Sequence, residues 1–185
     1  MLGTMTPNWP VDDSRHKLRK DMAGASAGEM RESTITRSCG ACTACCDGWL
    51  KIEVRGTAVA PGHPCPFRVD HGCSIYAERP ANPCREFMCG WLVGSSPLPD
   101  WMRPDKSDMI MLAANFAWHG LPVDVIVPVG EAPKKKALDW LMQFSTANRR
   151  LLLYQIKGEW FAFGPPAFQA EMSERIQRGD RLWSE

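Results

Sequence analysis

The stretch Cys39-Gly-Ala-Cys42-Thr-Ala-Cys45-Cys46 decides how the first half of this chain is organised, because it places four sulfurs within eight residues. All eight cysteines of the 185-residue chain fall between Cys39 and Cys89, and none lies elsewhere. Cysteine that served only as a small buried hydrophobe would be scattered through every core-facing segment. The concentration therefore indicates a site that is organised by sulfur.

The other four cysteines each lie beside glycine or proline. They occur in His63-Pro-Cys65-Pro, in Gly72-Cys73-Ser-Ile-Tyr76 and in Pro83-Cys84-Arg-Glu-Phe-Met-Cys89. Glycine and proline recur every few residues of this region, which leaves room only for short strands and turns. We expect a strand within 49–54 and a short helix over 84–92, with Pro83 at its first position.

Composition and charge restrict the environment of the protein. The net charge is +1, and no run of eighteen apolar residues is present. The first ten residues lack the charged start and apolar stretch of a secretory signal. We therefore expect a cytoplasmic protein whose thiols stay reduced. We expect neither a membrane nor a nucleic acid as its partner, and a protein partner stays open.

Metal binding is the use of sulfur that this pattern favours. Eight cysteines in 185 residues are too few for a small disulfide scaffold. Adjacent Cys45 and Cys46 also suit a disulfide framework poorly. If the domain were secreted, its eight cysteines could still form such a framework. We predict as metal ligands, in one or two centres, Cys39, Cys42, Cys45, Cys46, Cys65, Cys73, Cys84 and Cys89. His63 and His71 flank the cysteine turns, but eight sulfurs leave no need for them.

Two kinds of metal centre fit the spacing. Three cysteines at equal intervals match the start of a bacterial ferredoxin loop, and Cys65-Pro66 would supply the fourth ligand, so an iron–sulfur cluster is preferred. A zinc site built from a Cys39/Cys42 knuckle and a Cys84/Cys89 knuckle fits nearly as well. Cys46 is the candidate for a second centre, because neighbours in an extended chain project to opposite sides.

Charged and aromatic residues near the cysteines suggest supporting roles. Arg79 and Arg85 are the nearest cations and would compensate the negative charge of a thiolate centre, unless they are ordinary surface residues. Trp49 and Trp91 each follow a cysteine by two or three residues, as expected of a wall that excludes water from a metal centre.

Outside the cysteine region the pattern is conventional. Residues 1–37 are expected to form a flexible arm with a short helix around 15–22, and 94–108 a linker. Residues 109–185 show the order β-β-α-β-β-α, which predicts a small mixed sheet with its two helices on one face. The helices are expected from Pro133, with Ala137 and Leu141 on the apolar face, and over 166–178. The fold class is therefore α+β, with an irregular, metal-bound cysteine module at 38–93 that packs with the C-terminal half as one domain.

Several short motifs together resemble the YkgJ-type cysteine-cluster family. They are the CxxCxxCC stretch at 39–46, Cys65-Pro-Phe, Gly72-Cys-Ser-Ile-Tyr, Arg79-Pro, Cys84-Arg-x-Phe and Cys89-x-Trp. The family is described as a zinc- or iron-chelating domain, and some relatives as iron–sulfur oxidoreductases. The resemblance covers about residues 38–92 and implies metal chelation by all eight cysteines. The chain departs from the family in the three-residue Ala81-Asn82-Pro83 insert.

No motif for catalysis accompanies the cysteines. The chain has no glycine-rich phosphate loop, no G-x-S-x-G elbow and no HExxH. We therefore expect a metal-binding protein with a redox, electron-transfer or metal-handling role, and catalytic residues stay unknown. The alternatives are a structural zinc protein that acts as an interaction module, and a metalloenzyme, for which an iron–sulfur oxidoreductase is the class that the cysteines support.

Overall fold

The computed structural model describes residues 37–180. The helix expected around 15–22 and all of the arm except Arg37 lie outside these residues. Arg37 itself is held in place, because its guanidinium donates hydrogen bonds to the carbonyl oxygens of Trp91 and Leu98, each at 2.8 Å. The same group lies 4.9 Å from the centre of the Trp91 ring. The beginning of the described chain is therefore fastened to the segment that follows Cys89.

The cysteine region is built from short hairpins and turns, as its glycine and proline content predicts. Its regular elements are β1 (Ile52–Val54) paired with β2 (Thr57–Val59), β3 (Arg68–Val69) paired with β4 (Gly72–Cys73), a 3-10 turn at Tyr76–Glu78 and a π-type turn at Ala81–Arg85. The strand expected within 49–54 corresponds to β1.

The helix predicted over 84–92 is wrong. Helical structure ends in the turn around Arg85, and the chain then runs along the sheet without forming a helix. The N–H of Gly90 donates a hydrogen bond to the carbonyl oxygen of Met111 at 2.6 Å. This contact with a distant strand is incompatible with a continuous helix through Gly90, and it places Cys89 in the core.

The segment 94–108 belongs to the core rather than to a linker. It contains a 3-10 turn at Asp100–Met102 and a short helix, α1 (Pro104–Ser107). Leu98 and Met102 are each only 1% exposed. The buried hydroxyl of Ser107 donates to the carbonyl oxygen of Met102 at 3.0 Å, which closes the turn.

The C-terminal half is a four-stranded mixed sheet with two helices, as predicted. Its elements are β5 (Met109–Trp118), β6 (Leu121–Pro128), α2 (Lys135–Asn148), β7 (Leu151–Ile156), β8 (Glu159–Phe163) and α3 (Pro166–Arg178). The strand order is β5-β6-β7-β8, with β6 and β7 parallel and the other pairs antiparallel. No helix within 37–180 is long and apolar enough to cross a membrane.

The two long helices cover opposite faces of the sheet, so the prediction of one shared face is wrong. Val125 and Leu153 pack with Phe168 of α3, whereas Ile126 and Leu152 pack with Leu141 of α2. Successive side chains of a strand point to opposite faces. Because β6 and β7 are buried on both faces, each face needs its own cover.

The cysteine region packs on the same face as α2. One hydrophobic cluster combines Ala44, Cys89 and Trp91 with Ile126 and Leu141. The sheet, α2 and the cysteine region therefore share one core, and the sheet serves as the platform on which the cysteine turns are arranged.

A buried ion pair fixes the middle of the sheet. Asp124 is fully buried on β6, and its carboxylate accepts hydrogen bonds from the N–H of Ala114 at 2.7 Å and from the guanidinium of Arg150. Ala114 lies in the irregular stretch of β5 between Leu112 and Phe116. The carboxylate thus satisfies a backbone donor that the irregular strand leaves unpaired.

Replacing Arg150 by Met should lower the free energy of unfolding by about 3–5 kcal/mol, because Asp124 would stay buried without a countercharge. Urea denaturation measures the change. Lys135→Met, which breaks an exposed pair with Asp139, is the control and should cost about 0.3–0.5 kcal/mol. Equal losses in the two variants would show that Asp124 does not need its partner.

Candidate metal centre

One cavity collects all eight cysteines. It has a volume of about 140 Å³ and is lined by Cys39, Cys42, Cys45, Cys46, Cys65, Cys73, Cys84 and Cys89 together with apolar side chains such as Leu50, Val54 and Trp91. The charged residues in its wall are Arg79 and Arg103, and no carboxylate or imidazole lines it in the described chain. His63 and His71 are both exposed. The cavity is therefore a sulfur-lined, largely apolar site.

The thiols are all free. No disulfide joins any of the eight cysteines. A disulfide framework, the alternative use of this many cysteines, is thus not what holds the turns of the region together.

The loop that carries the first four cysteines is closed by its own hydrogen bonds. The N–H of Cys42 donates to the carbonyl oxygen of Cys39 at 2.9 Å, and the N–H of Gly48 donates to that of Cys45 at 3.2 Å. Asp47 accepts from the hydroxyl of Thr43 at 2.7 Å and from the guanidinium of Arg68 at 2.8 Å. The loop is therefore rigid, and it is tied to the β3–β4 hairpin.

Four cysteines form a group next to the main core, which we call the core group: Cys39, Cys42, Cys45 and Cys89. Burial raises the pKa of the Cys45 thiol, and the nearby sulfurs of Cys89 and Cys42 raise it further. Cys42, Cys45 and Cys89 also pack in the cluster that contains the sheet and α2. The fourth member beside the 39–45 loop is thus Cys89, and not Cys65 as the ferredoxin spacing suggested.

The remaining cysteines form a second group, which we call the outer group: Cys46, Cys65, Cys73 and Cys84. Burial raises the pKa of Cys46 to about 12, and the sulfurs of Cys65, Cys73 and Cys84 are the next causes. Cys46, Cys65 and Cys84 pack together in a small cluster of their own. Cys46 therefore lies away from its neighbour Cys45, and Cys84 does not accompany Cys89 as in a zinc knuckle.

Backbone N–H groups point at the sulfurs of the core group. The N–H groups of Ala44 and Asp105 donate to Cys42, and those of Trp91 and Leu92 donate to Cys89; each lowers the pKa of its thiol against the larger effect of burial. The buried indole N–H of Trp91 has no acceptor among the described residues. These donors favour the thiolate, which is the form that binds metal.

At the outer group, arginine side chains rather than backbone N–H groups favour the thiolate form. Burial raises the pKa of Cys84, as do the sulfurs of Cys65 and Cys73, while the positive charges of Arg79 and Arg55 lower it. Arg79 was anticipated from the sequence. Arg55 was not, because it lies far from Cys84 along the chain and reaches it through the β1–β2 hairpin. Arg85, the other expected cation, is exposed.

The types of side chain in the cavity fit a thiolate-bound metal, although the sulfurs are not yet at coordination distance from one shared point. Within 37–180, no group of three or more Cys, His, Asp or Glu side chains is already placed so that it could hold an ion. The residues that line the cavity nevertheless offer eight soft sulfurs and no carboxylate. Such a set suits zinc or iron–sulfur clusters, whereas Mg²⁺ and Ca²⁺ prefer oxygen ligands.

Comparisons with protein-family models, with curated proteins and with solved structures find no match to this chain. The likeness to the YkgJ-type family therefore remains a resemblance that is carried by the motifs alone.

Gly48→Ala should destabilise the protein by about 2–4 kcal/mol, because two costs combine at this position. Gly48 has φ +92°, and an added Cβ would lie 2.1 Å from the carbonyl oxygen of Ala60. Gly56→Ala is the matched control: φ is +77° there, with nothing within 4 Å of the added atom. It should cost about 1 kcal/mol. Thermal and urea denaturation compare the two, and equal costs would argue against a close contact between Gly48 and Ala60.

The metal-free, reduced protein should lose stability as the pH rises above 9. The unfolded thiols titrate near 9.0, whereas the folded thiols of Cys45 and Cys46 have raised pKa values. The unfolded chain therefore releases protons first, and the free energy of unfolding falls. Urea denaturation between pH 7.5 and pH 10.5 tests this, and Cys46→Ser should show a smaller decrease. An identical pH dependence in the variant would contradict the assignment.

Proposed function

We propose that this protein binds two metal centres through its eight cysteines, one in the core group and one in the outer group, and that iron–sulfur clusters are the preferred occupants. The observation that carries the proposal is one apolar cavity whose wall contains all eight thiols, of which Cys42, Cys45 and Cys89 pack in one cluster and Cys46, Cys65 and Cys84 in another. Four sulfurs satisfy either a tetrahedral metal or a four-iron cluster.

The surroundings of the core group favour an iron–sulfur centre. Hydrogen bonds to the sulfurs and exclusion of water are the means by which proteins adjust the potential of such clusters. Trp91 and Cys89 are each 8% exposed, and backbone N–H groups lower the pKa of the Cys42 and Cys89 thiols against the larger effect of burial. When bound, the cluster supplies one-electron transfer. The chain itself provides the thiolates, donates hydrogen bonds to them and keeps water away.

Structural zinc is the second candidate, and the outer group favours it. The hydrophobic cluster around this group has only three buried residues, Val54, Val59 and Cys65. So small a cluster contributes little to the free energy of folding. A closed four-thiolate zinc site would supply the additional stabilisation. In that case the region would act as an interaction module rather than as a redox centre.

The proposed setting is the reducing cytoplasm, where eight free thiols persist. The role that we propose is electron transfer or metal handling, with a protein as partner. An enzyme is not part of the proposal. The cavity wall pairs its thiols with no histidine or carboxylate that could act as a general base.

Anaerobic purification followed by elemental analysis tests the proposal. We expect iron and sulfide in the protein, with visible absorption that bleaches on addition of dithionite. The variants Cys89→Ser and Cys65→Ser should each lose about half of the bound metal, because they remove one ligand from different groups. Ser74→Ala, which leaves all eight sulfurs in place, is the control.

The alternative outcomes are distinct. A colourless protein that contains only zinc would overturn the redox role and support the structural one. A protein that binds no metal under reducing conditions would overturn the whole proposal.

A further inference from the structure

The two groups of cysteines differ in how firmly the fold holds them. In the core group, the 39–45 loop is anchored by Ala44, which is 3% exposed, and Cys89 packs in the main core with Trp91 and with Met111 of β5. The Gly90–Met111 hydrogen bond fixes the backbone on one side, and Arg37 clamps the carbonyl oxygens of Trp91 and Leu98 on the other. Release of Cys42, Cys45 or Cys89 therefore requires opening of the main core, in which all three pack.

The outer group is assembled from short segments at the edge of the structure. Cys73 lies on a strand of two residues, β4, and the paired residues of β3 are both exposed. Cys84 lies in the irregular turn at Ala81–Arg85, which contains no buried residue. Segments with few buried contacts open at low free-energy cost, so this group separates before the core does.

Arg55 joins separate segments of the outer group, whereas the contacts of Arg79 stay within its own turn. Arg55, in the β1–β2 turn, donates to the carbonyl oxygen of Glu78 at 3.0 Å and lies 5.2 Å from the centre of the Phe67 ring. Arg79 donates to the carbonyl oxygen of Tyr76 at 2.9 Å and stacks 3.7 Å from the centre of its ring. Arg55 is a positioning residue, because it connects the β1–β2 turn to the segment before Cys84 and to Phe67, which follows Cys65.

We infer that the outer group is an exchangeable metal site, which takes up and releases its metal while the core group keeps its own. This inference rests on the proposed function. It assigns metal exchange to the outer group and permanent metal binding to the core group. Metal enters and leaves by opening of the β3–β4 hairpin and the 81–85 turn, and Arg55 sets how often the site opens.

Metal removal combined with thiol mapping tests the inference. The metal-loaded protein is incubated anaerobically with excess EDTA, and bound metal is measured in desalted samples over time. N-ethylmaleimide is added at the plateau of the first phase, and the modified cysteines are mapped by mass spectrometry. We expect two phases of metal loss, with Cys46, Cys65, Cys73 and Cys84 modified after the first and the core group protected until the second.

Variants away from the sulfurs separate the two phases. Arg55→Ala should speed the first phase about fivefold, which corresponds to loss of one hydrogen bond, and should leave the second unchanged. Arg85→Ala, which removes an exposed charge beside Cys84, is the control and should change neither phase. Leu98→Ala should speed the second phase alone, because Leu98 lies in the main core.

Loss of all metal in one phase, or modification of the core group first, would overturn the inference while leaving the proposed function intact. An Arg55→Ala protein that exchanges metal at the original rate would also overturn the positioning role. A protein that carries no metal at the start would instead overturn the proposed function itself, so the two failures are distinguishable. Far-UV circular dichroism of each variant confirms that it is folded.

Discussion

The contact of residues 89–91 with strand β5 is the constraint on which the rest of the structure depends. The N–H of Gly90 bonds to the carbonyl oxygen of Met111, and a Cβ at Gly90 would lie 2.9 Å from the side chain of Met111. A side chain at position 90 would therefore require the buried Met111 side chain to shift. The contact brings Cys89 to the 39–45 loop and joins a turn-rich region with little apolar surface to a sheet that has a large one.

The same contact separates the eight sulfurs into two unequal settings. Because Cys89 joins the core group, Cys84 is left with Cys46, Cys65 and Cys73 on the far side of the cavity. The core group receives dipoles from backbone N–H groups, and the outer group receives the positive charge of Arg55 and Arg79. Adjacent Cys45 and Cys46 link the two groups, so each group has its own environment but the two share one loop.

Helices and turns that are specified by nearby residues can be predicted from the sequence. Helix α3 runs from Pro166 to Arg178 and ends at Gly179 with φ +71°, as its spacing predicts, and the hairpin turn between β7 and β8 falls where glycine requires it. Segments whose structure depends on contacts with distant parts of the chain cannot be predicted in this way. The expected helix over 84–92 gives way to the contact with β5, and the stretch 94–108 is anchored by the buried side chains of Leu98 and Met102.

The sequence by itself determined that eight thiols are confined to one region, which is held by turns too short to form a core. Divergence of Cys46 from Cys45 was expected for an extended chain, but the pair lies in a turn, and Cys46 is set apart by its packing with Cys65 and Cys84. Only the tertiary structure decided which sulfurs lie together. Spacing restrains cysteines within one loop, whereas the meeting of Cys89 with Cys42 and of Cys84 with Cys46 depends on how separate segments dock against a common sheet.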